Sequence, residues 1–196
     1  MMLTPLRNFV RKFSRSEDGT IGVEAAITMP LLLVTFAMGF VLFDAVRSQA
    51  QSLKTAHVLA DILSRETNHV TPIYLNSLWK VQQELNSATT NTEMRVTVAR
   101  WNKDQNKYNV VWSKVKGSKA PLTDSSLATD VQKVLPTVAN GRVVIAVESW
   151  VPHTPVLDVG IDPFIFHQVA AALPRFTTSQ LCWNDNEEQG VATQVC

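Results

Sequence analysis

The chain has almost no excess of charge of either sign. Its 196 residues carry 18 Lys+Arg against 17 Asp+Glu, a formal net charge of +1 with a pI near 7.8. No bulk positive field exists to hold a phosphate backbone, which removes the simplest nucleic-acid reading. Cysteine is equally scarce, with two residues, Cys182 and Cys196. The strings that mark common chemistry are absent as well: there is no G-x-S-x-G, no G-x-G-x-x-G, no G-x-x-x-x-G-K-[ST], no C-x-x-C and no H-E-x-x-H. Nor is the chain polar enough to be disordered, at 45% hydrophobic and 18% charged. Its length fits one domain with an appendage and excludes a large multidomain enzyme.

What charge there is lies unevenly. Arg7, Arg11, Lys12 and Arg15 come before any acid, whereas from Asp44 onward basic and acidic residues are equal in number. Between these regions runs IGVEAAITMPLLLVTFAMGFVLF, Ile21 to Phe43, in which Glu24 is the only ionisable side chain. As a helix this run reaches roughly 34 Å at about 1.5 Å per residue, enough to cross a hydrocarbon core of about 30 Å. A buried soluble helix of such length and composition is uncommon. A removable secretory signal would share the basic start, but the run is longer than a usual signal core and no small-x-small site follows it. The positive-inside bias puts the N-terminus in the cytoplasm and everything after Asp44 on the other side.

The helix is expected to continue past the span, because no Gly or Pro interrupts residues 40–71. Leu42, Val46, Gln49, Leu53, Ala56, Ala60 and Leu63 recur at steps of three and four, with Leu59 and Ile62 beside them. That stripe can pack against the chain's own head, against a partner helix, or against each at different levels. The organisation expected is a basic cytoplasmic leader (1–19), a transmembrane helix (20–43), an amphipathic extension (44–68) and an exported head (69–196).

Glu24 is the residue hardest to explain by anchoring alone. A carboxylate deep in an apolar span costs on the order of 2.5–3.5 kcal/mol and calls for a partner, although four residues into the run it can also remain hydrated at the interface. Its setting is a basic leader, Ser16-Glu17-Asp18-Gly19, then Thr20-Ile21-Gly22-Val23-Glu24 and a mostly apolar helix containing Pro30. This resembles the N-terminus of type IV pilin-like proteins, in which a prepilin peptidase cuts after a glycine and a glutamate stands at the fifth mature position. The resemblance implies Gly19 before the cut, Thr20 as the new N-terminus, and Glu24 as the acid that offsets the terminal amine of a neighbouring subunit.

The wider string, Asp18-Gly19, Val23-Glu24-Ala25-Ala26-Ile27 and Met29-Pro30-Leu31-Leu32-Leu33, is similar to that of TadE/TadG-like proteins of tight-adherence (Flp) pilus systems. The likeness covers about residues 15–65, with a fainter echo in Glu148-Ser149-Trp150-Val151-Pro152-His153-Thr154-Pro155. Ala25 stands where many members carry an aromatic. The chain has no room for the von Willebrand A domain of longer TadG-like proteins, which favours the TadE-like minor pseudopilin type. The resemblance implies pilins or sister pseudopilins as partners of the N-terminal helix, the prepilin peptidase as processing enzyme, and residence in the bacterial inner membrane with a periplasmic head.

Beyond the rod the sequence reads as a small α+β head with an antiparallel sheet and short helices. Thr71-Pro72 starts a helix whose face is Tyr74, Leu78, Val81 and Leu85. Alternation over 93–101 and 107–113 around Asn102-Lys103-Asp104-Gln105-Asn106 suggests a hairpin. Leu127, Val131 and Leu135 mark a short helix, and after Asn140-Gly141 residues 142–150 form the most continuous strand, central and buried on both faces. Asp162-Pro163 is expected to cap a further helix through Ala172, and Arg175 to Trp183 to return as a strand.

Both cysteines fall in the exported part, where thiols tend to oxidise, so a Cys182–Cys196 disulfide is expected over a metal or catalytic thiol lacking companions at ligand spacing. His57 with Asp61, and the looser His153, Asp158, Asp162 and His167, are poor metal sets without a third fixed ligand. Trp79, Trp101, Trp112, Trp150 and Trp183 read as core or interface anchors. No catalytic residue, metal or cofactor is expected. Two functions stay open: a pseudopilin-like assembly subunit, and an uncleaved single-pass envelope scaffold whose head binds a partner. A carbohydrate- or peptide-binding adhesin has only the tryptophans behind it.

Overall fold

A computed structural model describes residues 20–87, 91–176, 181–185 and 194–196. The chain separates into two compact units, one built on residues up to Phe43 with Val156–Ile161, the other on Asp44–Pro155 with Asp162–Cys196. Helix α1 runs Thr20–Arg65 without a break, 46 residues. Its N-terminal stretch is apolar enough to cross a membrane, with a mean hydropathy of 2.2 over the best 18-residue window. Pro30 lies inside it. Its ring leaves the carbonyl of Ala26 without an intrahelical donor, a loss that membrane helices tolerate.

The second unit is α+β. Helix α2 (Pro72–Leu85) starts as expected, with the Thr71 hydroxyl accepting from the Tyr74 amide at 3.2 Å and Pro72 in the first turn. Strands β1 (Glu93–Asn102) and β2 (Lys107–Lys116) form the hairpin. The Asn102 side-chain oxygen accepts from the amides of Asp104 and Gln105, and Asn106 takes φ 51°. Helix α3 (Asp124–Asp130), closed by a Thr123–Ser126 capping box, and a 3₁₀ turn (Gln132–Val134) lead to β3 (Val143–His153). Strand β4 (Phe164–Ala172) completes an antiparallel sheet of order β2-β1-β3-β4.

Each face of the sheet is covered. On one, Met94, Val96, Val98, Trp112, Val143, Ile145, Val147 and Ala170 pack against Ala56, Leu59, Ala60 and Leu63 of α1 and Leu75 and Leu78 of α2. On the other, Ala99, Tyr108, Val144 and Ala146 pack against Leu122, Leu127, Val131 and Leu135. The alternation along β3 thus serves two cores, which is why its sequence reads as a continuous apolar run.

Three expectations are corrected. Residues 164–172 are a strand, not the helix expected after Asp162-Pro163. The residue before a proline is pushed toward extended backbone, and the open edge of β3 supplies nine paired positions that outweigh the helical preference of Ala170-Ala171-Ala172. Arg175 to Trp183 is not one strand either: Arg175 and Phe176 are bends, and residues 177–180 lie outside the described set. The Arg175 amide donates instead to the Ser64 carbonyl at 2.8 Å. Finally, the expected stripe of α1 is buried only in its second half, where Ala56, Leu59, Ala60 and Leu63 join the core. Leu42, Val46, Gln49 and Leu53 are exposed, and Ser52, Thr55, Ala56, Leu59, Ala60, Leu63 and Ser64 are buried.

The C-terminal segment is pinned at its end and packed through Leu181 and Trp183. Strand β5 (Trp183–Asn184) pairs with β6 (Gln194–Val195) and bridges Val70, and Cys182 is bonded to Cys196 with Cα atoms 4.5 Å apart. Trp183 is buried against Trp112, whose indole N–H donates to the Leu181 carbonyl at 2.7 Å. Closing a loop of this length stabilises by about 3 kcal/mol in the chain-entropy model. A Cys182→Ser, Cys196→Ser double variant should therefore unfold about 3 kcal/mol more easily in urea, while the wild type loses the same amount only when reductant is present.

Candidate functional site

The expected site residues divide between the N-terminal helix and the head. Thr20 is the first residue of α1, whereas Gly19 and the basic residues Arg7, Arg11, Lys12 and Arg15 lie outside the described set. Glu24 stands one turn into the helix and is exposed. Around it Ile21, Val23, Ile27, Met29, Leu31, Leu32, Leu33, Val34, Phe36 and Phe43 are all more than 59% exposed, a contiguous apolar surface on a helix long enough to cross a membrane. The polar side chains in this stretch are satisfied within the helix: Thr28 and Thr35 donate to the carbonyls of Glu24 and Leu31, both at 2.8 Å. Among the described residues the Glu24 carboxylate has no ion-pair partner. It is the lone ionisable group on a lipid-compatible surface.

In the head, a charge cluster that sequence reasoning missed fills one end of the α3 side of the sheet. Arg95 of β1 faces Glu148 of β3 across the ladder and grips it twice, Nε to Oε2 at 2.5 Å and Nη2 to Oε1 at 2.8 Å. Its Nη1 donates to the Ala120 carbonyl at 2.8 Å. His167 of β4 approaches Glu148 Oε1 at 3.1 Å and stacks on Trp150, ring centroids 4.7 Å apart and planes nearly parallel. Burial alone would push the Glu148 carboxyl up, but hydrogen bonds from His167 and Arg95 and their charge hold it below the ordinary carboxylate range. At the rim Glu93 accepts from the amide and hydroxyl of Ser118, which with Lys119 also hold its carboxyl low. Gly117 beside it has φ 124°, and a Cβ there would lie 2.6 Å from Glu93 Cγ, so only glycine fits.

The remaining candidates scatter. Asp61 pairs with Arg65 at 2.9 Å and with Arg175 at 3.0 Å, leaving His57 exposed on the helix. His153 and His167 point to opposite faces of the sheet, since His153 has the parity of Val143 and Val147 and His167 pairs with Trp150. Asp158 accepts from the Gly160 amide in its own turn. Of the tryptophans, Trp112 and Trp183 are buried, Trp79 donates to the Thr92 carbonyl at 2.8 Å, Trp101 packs on Tyr108, and Trp150 joins the charge cluster. Each is an anchor within the head.

No family model, curated protein or solved structure matches the chain. The likeness to TadE/TadG-like proteins therefore rests on the sequence alone, chiefly on residues 15–65.

Proposed function

We propose that this chain is a non-enzymatic minor pseudopilin, an assembly subunit of a tight-adherence, type IV-like pilus. It is held in the inner membrane by α1, with its basic leader in the cytoplasm and a pilin-like head in the periplasm. The observation that carries the reading is α1 itself: one unbroken helix whose first half is apolar on all sides around a single carboxylate, and whose second half forms part of the core of a sheet domain. A plain anchor needs the apolar run but neither the acid nor helical continuity into the head. A subunit that bundles through its helix needs both, because continuity couples the head to the bundle and Glu24 can pair with the amine of an adjacent Thr20. Leu42, Val46 and Leu53, exposed along the same helix, supply apolar surface for neighbouring helices.

The test is the mature N-terminus of protein from native membranes, read by peptide mass spectrometry with and without the prepilin peptidase. A start at Thr20 that disappears without the peptidase is the expected result. An intact leader under both conditions overturns processing and leaves a single-pass scaffold whose head binds a partner.

A further inference from the structure

We propose that a cavity in the second unit, around Asp44 and Arg47, binds a zwitterionic ammonium–phosphate headgroup, the chemistry of an ethanolamine phospholipid. The cavity, about 340 Å³, is lined by Asp44, Arg47, Ser48, His153, Thr154 and Phe166 among others. That is the lower range of small-molecule sites. Its polar wall is unusual in that two opposite charges stand on one helix face, three residues apart, without forming an ion pair with each other. Among the described residues Arg47 has no ion-pair partner, and Asp44 approaches only His153, Oδ2 to Nε2 at 3.7 Å.

His153 sharpens the assignment. Its ring is packed between Phe164 and Phe166, its side chain is 9% exposed, and Nε2 has no hydrogen-bond partner. A buried ring nitrogen left this way has given up its hydrogen bond to water, which a ligand oxygen or amine entering between it and Asp44 would replace. A ligand of one charge sign would satisfy either Arg47 or Asp44 and meet repulsion from the other. A dipolar ligand satisfies both: its phosphate takes the Arg47 guanidinium and the Ser48 hydroxyl, and its ammonium takes the Asp44 carboxylate. Side chains at i and i+3 lie about 5–6 Å apart at Cβ, a spacing that an ethanolamine arm spans.

The source follows from chain length, on the reading that residues 21–43 cross the bilayer. Asp44 is the next residue after Phe43, and Arg47 stands about 6 Å beyond Phe43 along α1 at about 1.5 Å per residue. The headgroup layer adds about 5–8 Å to each side of the hydrocarbon core. Asp44 and Arg47 therefore fall at the depth where phosphates and amines are densest, within reach of a lipid that stays in the membrane.

The experiment is native mass spectrometry of the full-length protein released from nanodiscs holding equal amounts of phosphatidylethanolamine, phosphatidylcholine and phosphatidylglycerol. Phosphatidylethanolamine should be retained about tenfold over the other two, as one lost charge-assisted contact is worth roughly 1.4 kcal/mol. The preference should vanish in Arg47→Gln and in Asp44→Asn, both mild changes at partly or fully exposed positions. Free phosphoethanolamine is titrated in parallel against detergent-solubilised protein. Binding of it with no lipid preference assigns the same chemistry to a soluble ligand, while lipid retention it fails to displace assigns the membrane. Equal retention of all three lipids with no phosphoethanolamine binding, or a preference that survives both substitutions, overturns the proposal. Carbonate extraction of the same membranes separates failure of the span, seen as released protein, from failure of the headgroup site.

Discussion

Glu148→Ala will destabilise the head by about 3–5 kcal/mol, enough to unfold much of a domain of this size. Glu148 is 1% exposed and Arg95 8%, so removing the carboxylate strands a guanidinium between β1 and β3 with the Ala120 carbonyl as its remaining contact of this kind. The large effect does not mean that the pair is a large net stabiliser. Bringing both ions out of water costs several kcal/mol each, and their attraction offsets this only because the geometry is bidentate. An Arg95→Met, Glu148→Leu double variant is accordingly expected to recover most of the loss. Urea denaturation of the two variants checks both statements, and a single variant within 1 kcal/mol of wild type would sink the account.

The same pair sets an acid limit. The Glu148 carboxyl is held below its unfolded value, which is roughly 4.3. The unfolded chain then binds more protons than the folded one between these values, so the contribution is complete above the unfolded value and is lost as pH falls through the lower, folded one. Unfolding temperature should be level from pH 7 to about 5 and fall below roughly pH 4.5. Glu148→Gln should start lower at neutral pH and lose less on acidification.

How far the chain could be read in advance depended on the scale at which each choice was made. The long apolar helix, α2 and the hairpin are local decisions, written in a long apolar run, a Thr-Pro cap and a period of two. The strand at 164–172 was not, because the choice belongs to its neighbour: β3 needs an edge partner, and three alanines give no hint of that. The buried face of α1 was legible only in part, at Ala56, Leu59, Ala60 and Leu63. Ser52, Thr55 and Ser64, which complete it, are small rather than hydrophobic, and size is what lets a helix lie close to a sheet. The charge cluster had a faint trace. Arg95 between Met94 and Val96, and Glu148 between Val147 and Ser149, are opposite charges in otherwise apolar strands, and such residues must find each other or face water. The cavity at Asp44 had none, since it joins residues about a hundred positions apart that are individually ordinary.

Replacing Glu24 by glutamine should separate the two functional readings most sharply. Glutamine keeps the shape and leaves insertion no harder, so the protein should still fractionate with the membrane and its head should fold unchanged. What it removes is the charge. If subunits meet through a Glu24 carboxylate and the amine of a neighbouring Thr20, the pair lies in a medium where nothing else can solvate either ion, and its loss leaves the amine alone at a cost of about 3 kcal/mol. That corresponds to an assembly weakened on the order of a hundredfold. Sheared pili or cross-linked helix pairs should then drop to background in Glu24→Gln, and Glu24→Asp, which keeps the charge, should restore part of the yield. Pairing of this kind requires a free amine at Thr20. A variant blocked in cleavage has no amine at Thr20, so in that background Glu24→Gln should add no further defect. Independent, additive losses would assign Glu24 to some contact other than the new terminus, and full assembly by Glu24→Gln would leave α1 as an anchor and the head as the only part that recognises a partner.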